Sequence, residues 1–376
     1  MNERRFSLIL LPTLRCNADC EYCFEEKADA DLEFESLAVV VDKLLDYVEQ
    51  ERYDSAVIYW QGGEVMVLGA EWFERAGVLV AHAAGARGIR VDNGLQSNLI
   101  GYTPSWNRVL GGMFGNQVST SLDFPNRHRR IAGGTAADYE RIWLQNLYAV
   151  RAAGIHVGVI AIPSPETLEL GAERFYKRFV DELEITDFQI NTPFAGGPPS
   201  AVKQAYPLDP RRLGRFLVEL ADIWIDRGCP AGVKLGPFDE LLEYFSGGPA
   251  TLPCFWRENC AREFICIDPR GWVAQCDCWV VSYPKHRFGN ILGEETLAQL
   301  LQRSPARERL LRRPSELVRR EDCIWCEHLG ICHGGCPIRA FTCRGQLNEK
   351  DPYCDTYRMV FDYIRGIASC SQRCGS

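Results

Sequence analysis

Nowhere in its 376 residues does this chain run apolar for the ~20 positions that a bilayer-spanning helix needs. It also lacks the basic excess of a nucleic-acid binder: the formal net charge is −8, whereas such proteins concentrate lysine and arginine to neutralise phosphates. The one locally basic run, 303–320, reads as a solvated helix face. No internal repeat and no low-complexity tract interrupts the sequence. The amino terminus has the charged-then-apolar order of a secretion signal, but the apolar stretch 6–11 is short and meets Pro12, so it reads as a strand. A soluble, cytoplasmic protein is expected, with no membrane and no nucleic acid among its partners.

What the chain has in excess is cysteine, 17 in all. Secreted disulfide frameworks belong to small domains without a core of their own, and 376 residues with 46% hydrophobic content do not need one. The first three, Cys16, Cys20 and Cys23, stand at C-x3-C-x2-C, and no cysteine follows until Cys229. Structural zinc takes four ligands, so a zinc site here would have to recruit a distant one. Three thiolates can instead hold three irons of a [4Fe–4S] cube and leave the fourth open to a ligand.

Along the chain, short β-rich runs at 6–11, 56–60, 89–91, 117–121, 155–162 and 188–191 alternate with segments of helical period at 36–51, 70–84, 138–153, 168–183 and 210–227. Such alternation predicts βα units and a parallel sheet. Six units are too few for a closed eight-stranded barrel, so the expected fold is α/β, a partial (β/α)6 TIM-like barrel with its chemistry at the C-terminal strand ends. Glycine and proline punctuate 228–252, which suggests a first domain over 1–235 and a second, cysteine-rich one over 236–376.

The triplet spacing resembles that of the radical S-adenosylmethionine (SAM) enzymes, and other stretches extend the likeness. Gln61-Gly62-Gly63-Glu64, after the second strand, resembles their GGE motif, whose backbone and carboxylate bind the SAM amino group. By itself a Gly-Gly-Glu turn is also an ordinary turn. Ser121-Leu122-Asp123 resembles a stretch whose serine touches SAM, and Gln96-Ser97-Asn98 a polar strand-end motif; each could equally be strand-end hydrogen bonding. Arg141, in the following helix, is a candidate partner of the SAM carboxylate or a solvated helix arginine.

In the second half, Cys323, Cys326, Cys332 and Cys336 fall at C-x2-C-x5-C-x3-C with Cys354 beyond, and Cys260, Gly271 and Cys276 at C-x10-G-x4-C. These resemble the SPASM iron–sulfur domain of peptide-modifying radical SAM enzymes, and nearly the whole chain resembles the anaerobic sulfatase-maturating enzymes. That resemblance implies three [4Fe–4S] clusters and SAM as cofactors. One auxiliary cluster would sit on Cys254, Cys260, Cys276 and Cys336, the other on Cys323, Cys326, Cys332 and Cys354. Asp277, beside Cys276, matches the family's proposed general base, and could alternatively be a residue supporting the cluster ligands. Of the other cysteines, Cys278 stands out for its place beside Asp277, and Cys370 and Cys374 are expected in a flexible tail.

The resemblance further implies an oxidoreductase in which a 5′-deoxyadenosyl radical takes a hydrogen atom from a side chain of a peptide or unfolded protein. An external electron donor of flavodoxin or ferredoxin type is then required. The first expectation for the product is a side-chain cross-link in a ribosomally made precursor peptide; the second is formylglycine in a sulfatase; the third is oxidation of a small alcohol or sugar. Departures from the maturase pattern favour the first: Glu25 stands where an aromatic is expected, Val65 where proline is, and Cys278 follows Asp277. No winged-helix leader-binding domain fits before Phe6, so precursor recognition would fall to a separate leader-binding protein or to the barrel.

Overall fold

The structure is a computed structural model that describes residues 3–194, 208–320 and 322–374. Among the described residues ten strands form two sheets: β1 (Arg5–Leu10), β2 (Ser55–Trp60), β3 (Arg90–Leu95), β4 (Gln117–Ser121), β5 (His156–Ala161), β6 (Asp187–Ile190), β7 (Lys234–Gly236), β8 (Phe264–Ile267), β9 (Trp272–Ala274) and β10 (Gly289–Asn290). One sheet has the order β10-β9-β8-β1-β2-β3 and the other β4-β5-β6-β7. A parallel bridge between Gln96 and Ser119, just past β3, joins them. Strands β8 and β1 to β7 therefore run side by side and parallel, with β9 and β10 antiparallel at one edge. The six expected strands are all present. The additions are β7 to β10, two to four residues long, too short to carry a periodic signal.

The cysteine-rich half is thus not a separate bead on the chain. Its strand β8 pairs with β1, Leu10 opposite Ile267, and its last helix, Cys354–Cys374, packs on helix Pro210–Ile223 of the first part as well as on helix Phe238–Phe245. Gly214 permits that approach, since a Cβ there would lie 2.6 Å from the Met359 sulfur. The backbone of Cys370 and Cys374 continues this helix rather than forming a loose tail, and their side chains lie outside the described residues.

Helix Phe34–Gln50 buries the stripe expected of it, Leu37, Val40, Val41, Leu44, Leu45 and Val48. Each such side chain removed from water contributes about 1.5–3 kcal/mol. The helix expected over 168–183 is instead broken into Pro165–Leu170, Ala172–Tyr176 and a wider-turned segment Lys177–Glu182. Gly171 makes the break with φ of +87°, a conformation outside the right-handed helix. Helix Pro305–Arg320 forms where the basic run stands, but the run is not uniformly solvated: Arg313 is 5% exposed.

Candidate active site and cysteine centres

The three amino-terminal cysteines sit on the loop after β1, at the C-terminal end of the barrel. This loop is laced to residues 128–132, with Asp19 N–H donating to Arg130 O at 2.8 Å and Glu21 N–H to His128 O at 2.9 Å. The glycines of Gly62-Gly63 let the turn after β2 lie against the same loop. A Cβ on Gly63 would stand 2.2 Å from Arg15 O, and one on Gly62 2.7 Å from Thr13 O. Their backbone hydrogen bonds, Gly63 N–H to Thr13 O and Glu64 N–H to Arg15 O, fix Glu64 beside Cys16.

A cleft of about 270 Å³ opens there, lined by Cys16, Cys20 and Cys23, by Gln61 to Glu64, by Gln96, Ser97 and Asn98, and by Ser121, Arg129 and Asp277. Of the residues expected around SAM, only Arg141 is absent. It is exposed on helix Ala136–Ala152 and pairs with Asp138 at 3.2 Å. The period explains this: Tyr139, Trp143, Leu147 and Val150 form the inward stripe, and position 141 points away from it.

Ser97 and Asn98 act through Glu64. The Ser97 hydroxyl donates to Glu64 Oε1 at 2.7 Å and the Asn98 N–H to Oε2 at 2.6 Å, while Met66 N–H also donates to Oε1. Burial raises the Glu64 pKa, and these three donors oppose the rise. Ser121 Oγ accepts from Gln96 Nε2 at 3.0 Å. Gln61 reaches across the cleft, its Nε2 donating to Asp277 Oδ2 at 2.7 Å. Burial pushes the Asp277 carboxyl up to about 6, against the Cys278 N–H and Gln61 donors. Glu25, also on the cleft wall, is pushed up to about 8 by burial and then by the charge of Asp277.

Two features escape sequence reasoning. Asp123, 2% exposed, accepts from Ile162 N–H, Arg129 Nε and the Tyr22 hydroxyl. It therefore ties the loop between Cys20 and Cys23 to the end of β5. Arg129, itself 9% exposed, lines the cleft in the position expected for Arg141. The only signal was its membership of the basic stretch Asn126-Arg127-His128-Arg129-Arg130, which does not say which arginine turns inward.

The three thiols fit three irons of an iron–sulfur cube; no fourth cysteine and no histidine lines the cleft among the described residues, so zinc there would have to take one of its carboxylates. Burial pushes Cys16 and Cys23 up to about 12 and raises Cys20. Such sulfurs become thiolates when a metal supplies the balancing charge.

The carboxy-terminal cysteines gather in two groups. Cys336 lies within electrostatic reach of Cys254, Cys260 and Cys276, and Cys260 of Cys254, and burial raises the thiols of Cys260, Cys276 and Cys336. Cys323, Cys326, Cys332 and Cys354 line a second pocket of about 250 Å³. Burial pushes Cys332 up to about 12 and Cys354 to about 11. The chain crosses from one group to the other through His333, Gly334 and Gly335, three successive left-handed residues with φ of 50°, 83° and 71°. Cys278 and Cys266 are buried in an apolar cluster with Leu11, Leu14 and Trp279, as small hydrophobic residues are. Cys229 and Cys343 are exposed.

Residues 10–170 match the Radical SAM superfamily. The chain is 24% identical over 372 residues to the cysteine-type anaerobic sulfatase-maturating enzyme of Clostridium perfringens (strain 13 / Type A), covering 95% of each. Among solved structures it is similar to native anSMEcpe with bound AdoMet and Cp18Cys peptide, with TM-score 0.77, 22% identity, and 97% and 99% of the two chains covered. It is also similar to Streptococcus suis SuiB bound to precursor peptide SuiA, with TM-score 0.61, 15% identity, and 94% of this chain and 76% of that one covered. These likenesses show the radical SAM fold. Among the described residues no helix is long and apolar enough to cross a membrane.

Proposed function

We propose that this chain, a radical SAM enzyme homologous to the anaerobic sulfatase-maturating enzymes, oxidises one side chain of a peptide or unfolded protein segment by two electrons, with Asp277 as the proton acceptor. The observation that carries this reading is the single cleft in which the three thiols, the Glu64 carboxylate and Asp277 meet, closed by the Gln61 to Asp277 hydrogen bond. Three [4Fe–4S] centres are part of the proposal, one on Cys16, Cys20 and Cys23 and one on each carboxy-terminal group of four. The amino-terminal centre with SAM would supply a carbon-centred radical able to take a hydrogen atom from a C–H bond.

The protein's share of the work is binding, orientation and proton handling. Glu64 offers a carboxylate to the SAM ammonium, held in place by Ser97 and the Asn98 backbone. Arg129 and Ser121 supply positive and hydroxyl groups on the same wall. Asp277, on the cleft wall, would take the proton that a substrate thiol or hydroxyl loses as the adjacent carbon is oxidised. The two full sets of four thiols leave no iron open, which suits them to carry off the second electron. An external donor of flavodoxin or ferredoxin type would reduce the amino-terminal centre.

For the product, conversion of Cys or Ser to formylglycine has the better support, from the placement of Asp277 and from the relatives matched over nearly their full length. With cysteine, the carbon loses a hydrogen atom, the thiol loses its proton and one electron leaves, giving a thioaldehyde; water then adds to the carbon and hydrogen sulfide leaves to give the aldehyde. Cross-linking of a precursor peptide, first in order from sequence, is the second reading. It is favoured by Glu25, which places a carboxylate on the cleft wall where the maturase pattern has an aromatic. In that case a separate leader-binding protein would present the precursor.

The test is anaerobic turnover with a cysteine-containing sulfatase peptide and with precursor peptides encoded nearby, read by mass spectrometry. An aldehyde that reacts with a hydrazide supports formylglycine. Loss of two hydrogens with no aldehyde supports the cross-link. SAM cleavage that proceeds with every peptide unmodified contradicts a peptide substrate.

A further inference from the structure

Arg313 has an environment that the reactions above do not explain. It lies on helix Pro305–Arg320, directly before Pro314. Proline frees a carbonyl one turn earlier, and Asn259 Nδ2 donates to Leu310 O and Leu311 O there, at 3.4 and 3.1 Å. The neighbour of Asn259 is Cys260. The Arg313 guanidinium spends its donors on four carbonyls: Leu347 O at 2.8 Å, Gly335 O at 3.1 Å, Gly334 O at 3.1 Å and Glu349 O at 2.9 Å. It therefore clamps the loop that has Cys332 of one group at its start and Cys336 of the other at its end. Its two glycines lie close against their surroundings, since a Cβ on Gly334 would lie 2.1 Å from Leu317 Cδ2 and one on Gly335 2.3 Å from Asp351 Cβ.

What Arg313 lacks is a carboxylate. The other buried arginine of this region, Arg339, pairs with Asp351 at 2.9 Å, whereas no described carboxylate lies within ion-pair distance of Arg313. A buried guanidinium without an anion is strongly disfavoured, and arginine does not escape by losing its proton. Burial acts against its charge; the groups that favour it are Cys336 and Cys260, then Asp351, then Cys332. Three of those four are cysteines, drawn from both groups.

We propose that Arg313 is the counter-charge shared by the two auxiliary iron–sulfur centres, holding both at potentials where they accept an electron while fixing the loop between them. This rests on the three-centre reading above. Each electron added makes a centre one unit more negative, so a fixed cation beside it favours the reduced form, and net charge is among the properties that set cluster potentials. One cation between two centres raises both.

The test is a redox titration of the anaerobically reconstituted full chain, followed by electron paramagnetic resonance, for wild type, Arg313→Lys and Arg313→Gln. Lysine keeps the charge and loses the four-carbonyl clamp; glutamine loses the charge. In Arg313→Gln, the reduction equilibrium of both auxiliary centres should shift at least tenfold toward the oxidised form, about 59 mV for one electron. Arg313→Lys should stay within threefold of wild type, and the amino-terminal centre should be unmoved in both. If Arg313→Gln loses iron from both auxiliary sets while Arg313→Lys retains it, the shared-charge role stands. Equal shifts, or equal iron loss, in the two variants would make Arg313 a backbone clamp and overturn the inference, as would a shift confined to one centre. A wild-type chain with only about four irons would refute the three-centre reading instead, so the two failures are distinguishable.

Discussion

The two cysteine regions hold their sulfurs in different electrostatic settings. Around the amino-terminal triplet stand the buried carboxyl groups of Glu64 and Asp123, with Asp277, Glu25 and Lys27 on the cleft wall and Arg129 paired to Asp123. Around the carboxy-terminal groups, two buried arginines, Arg313 and Arg339, stand with the carboxylate Asp351 among the described residues, and Asp277 lies beside Cys276. Anionic surroundings lower a cluster's potential and cationic ones raise it. On the three-centre proposal, Arg313 and Arg339 would favour the reduced form of the auxiliary centres, which is the direction that oxidation of a substrate carbon requires.

The sharpest way to break the comparison is to remove one thiol from the barrel. Cys16→Ala should abolish SAM cleavage and remove about four of about twelve irons, leaving the auxiliary signals intact; iron analysis and spectroscopy check this. Glycine substitutions should separate the regions next. Gly63→Ala, with its Cβ 2.2 Å from Arg15 O, should lose the barrel iron alone. Gly335→Ala, with φ of 71° and a Cβ 2.3 Å from Asp351, should lose iron from both auxiliary groups and lower stability by about 1–3 kcal/mol. Iron counts and thermal melts distinguish the two variants.

Asp277→Asn should lower turnover by roughly 10²–10⁴-fold, the usual worth of a positioned acid–base group, with iron content unchanged. The measurement is peptide product per deoxyadenosine formed, because hydrogen abstraction does not need the base. The smallest effect belongs to Arg141→Ala. Its surface ion pair with Asp138 is worth at most about 1 kcal/mol, and SAM affinity by calorimetry should stay within about twofold of wild type.

The amino-terminal site was legible because its thiols and glycines stand in contiguous motifs at strand ends, where a parallel αβ array places them by rule. The stripe of helix Phe34–Gln50 was legible for the same reason, since a periodic face reports its own burial. Gln61 shows where such reading stops: motif position put it beside SAM, and nothing local could show that its amide meets Asp277, 216 residues away. Arg129 and Arg313 each stand among several arginines, and composition cannot tell which one turns inward. The auxiliary groups interleave along the chain, with Cys332 and Cys336 only four positions apart yet on different sides. Spacing alone leaves their pairing open, and it came from resemblance.

The proposed activity requires an open iron held by Cys16, Cys20 and Cys23. Its most direct test is deoxyadenosine release from SAM by the reduced, anaerobically reconstituted chain, measured by chromatography with and without a peptide substrate. Wild type should release it and Cys16→Ala should not. A fully iron-loaded wild-type chain that never releases deoxyadenosine, even with a modifiable peptide present, would contradict the account.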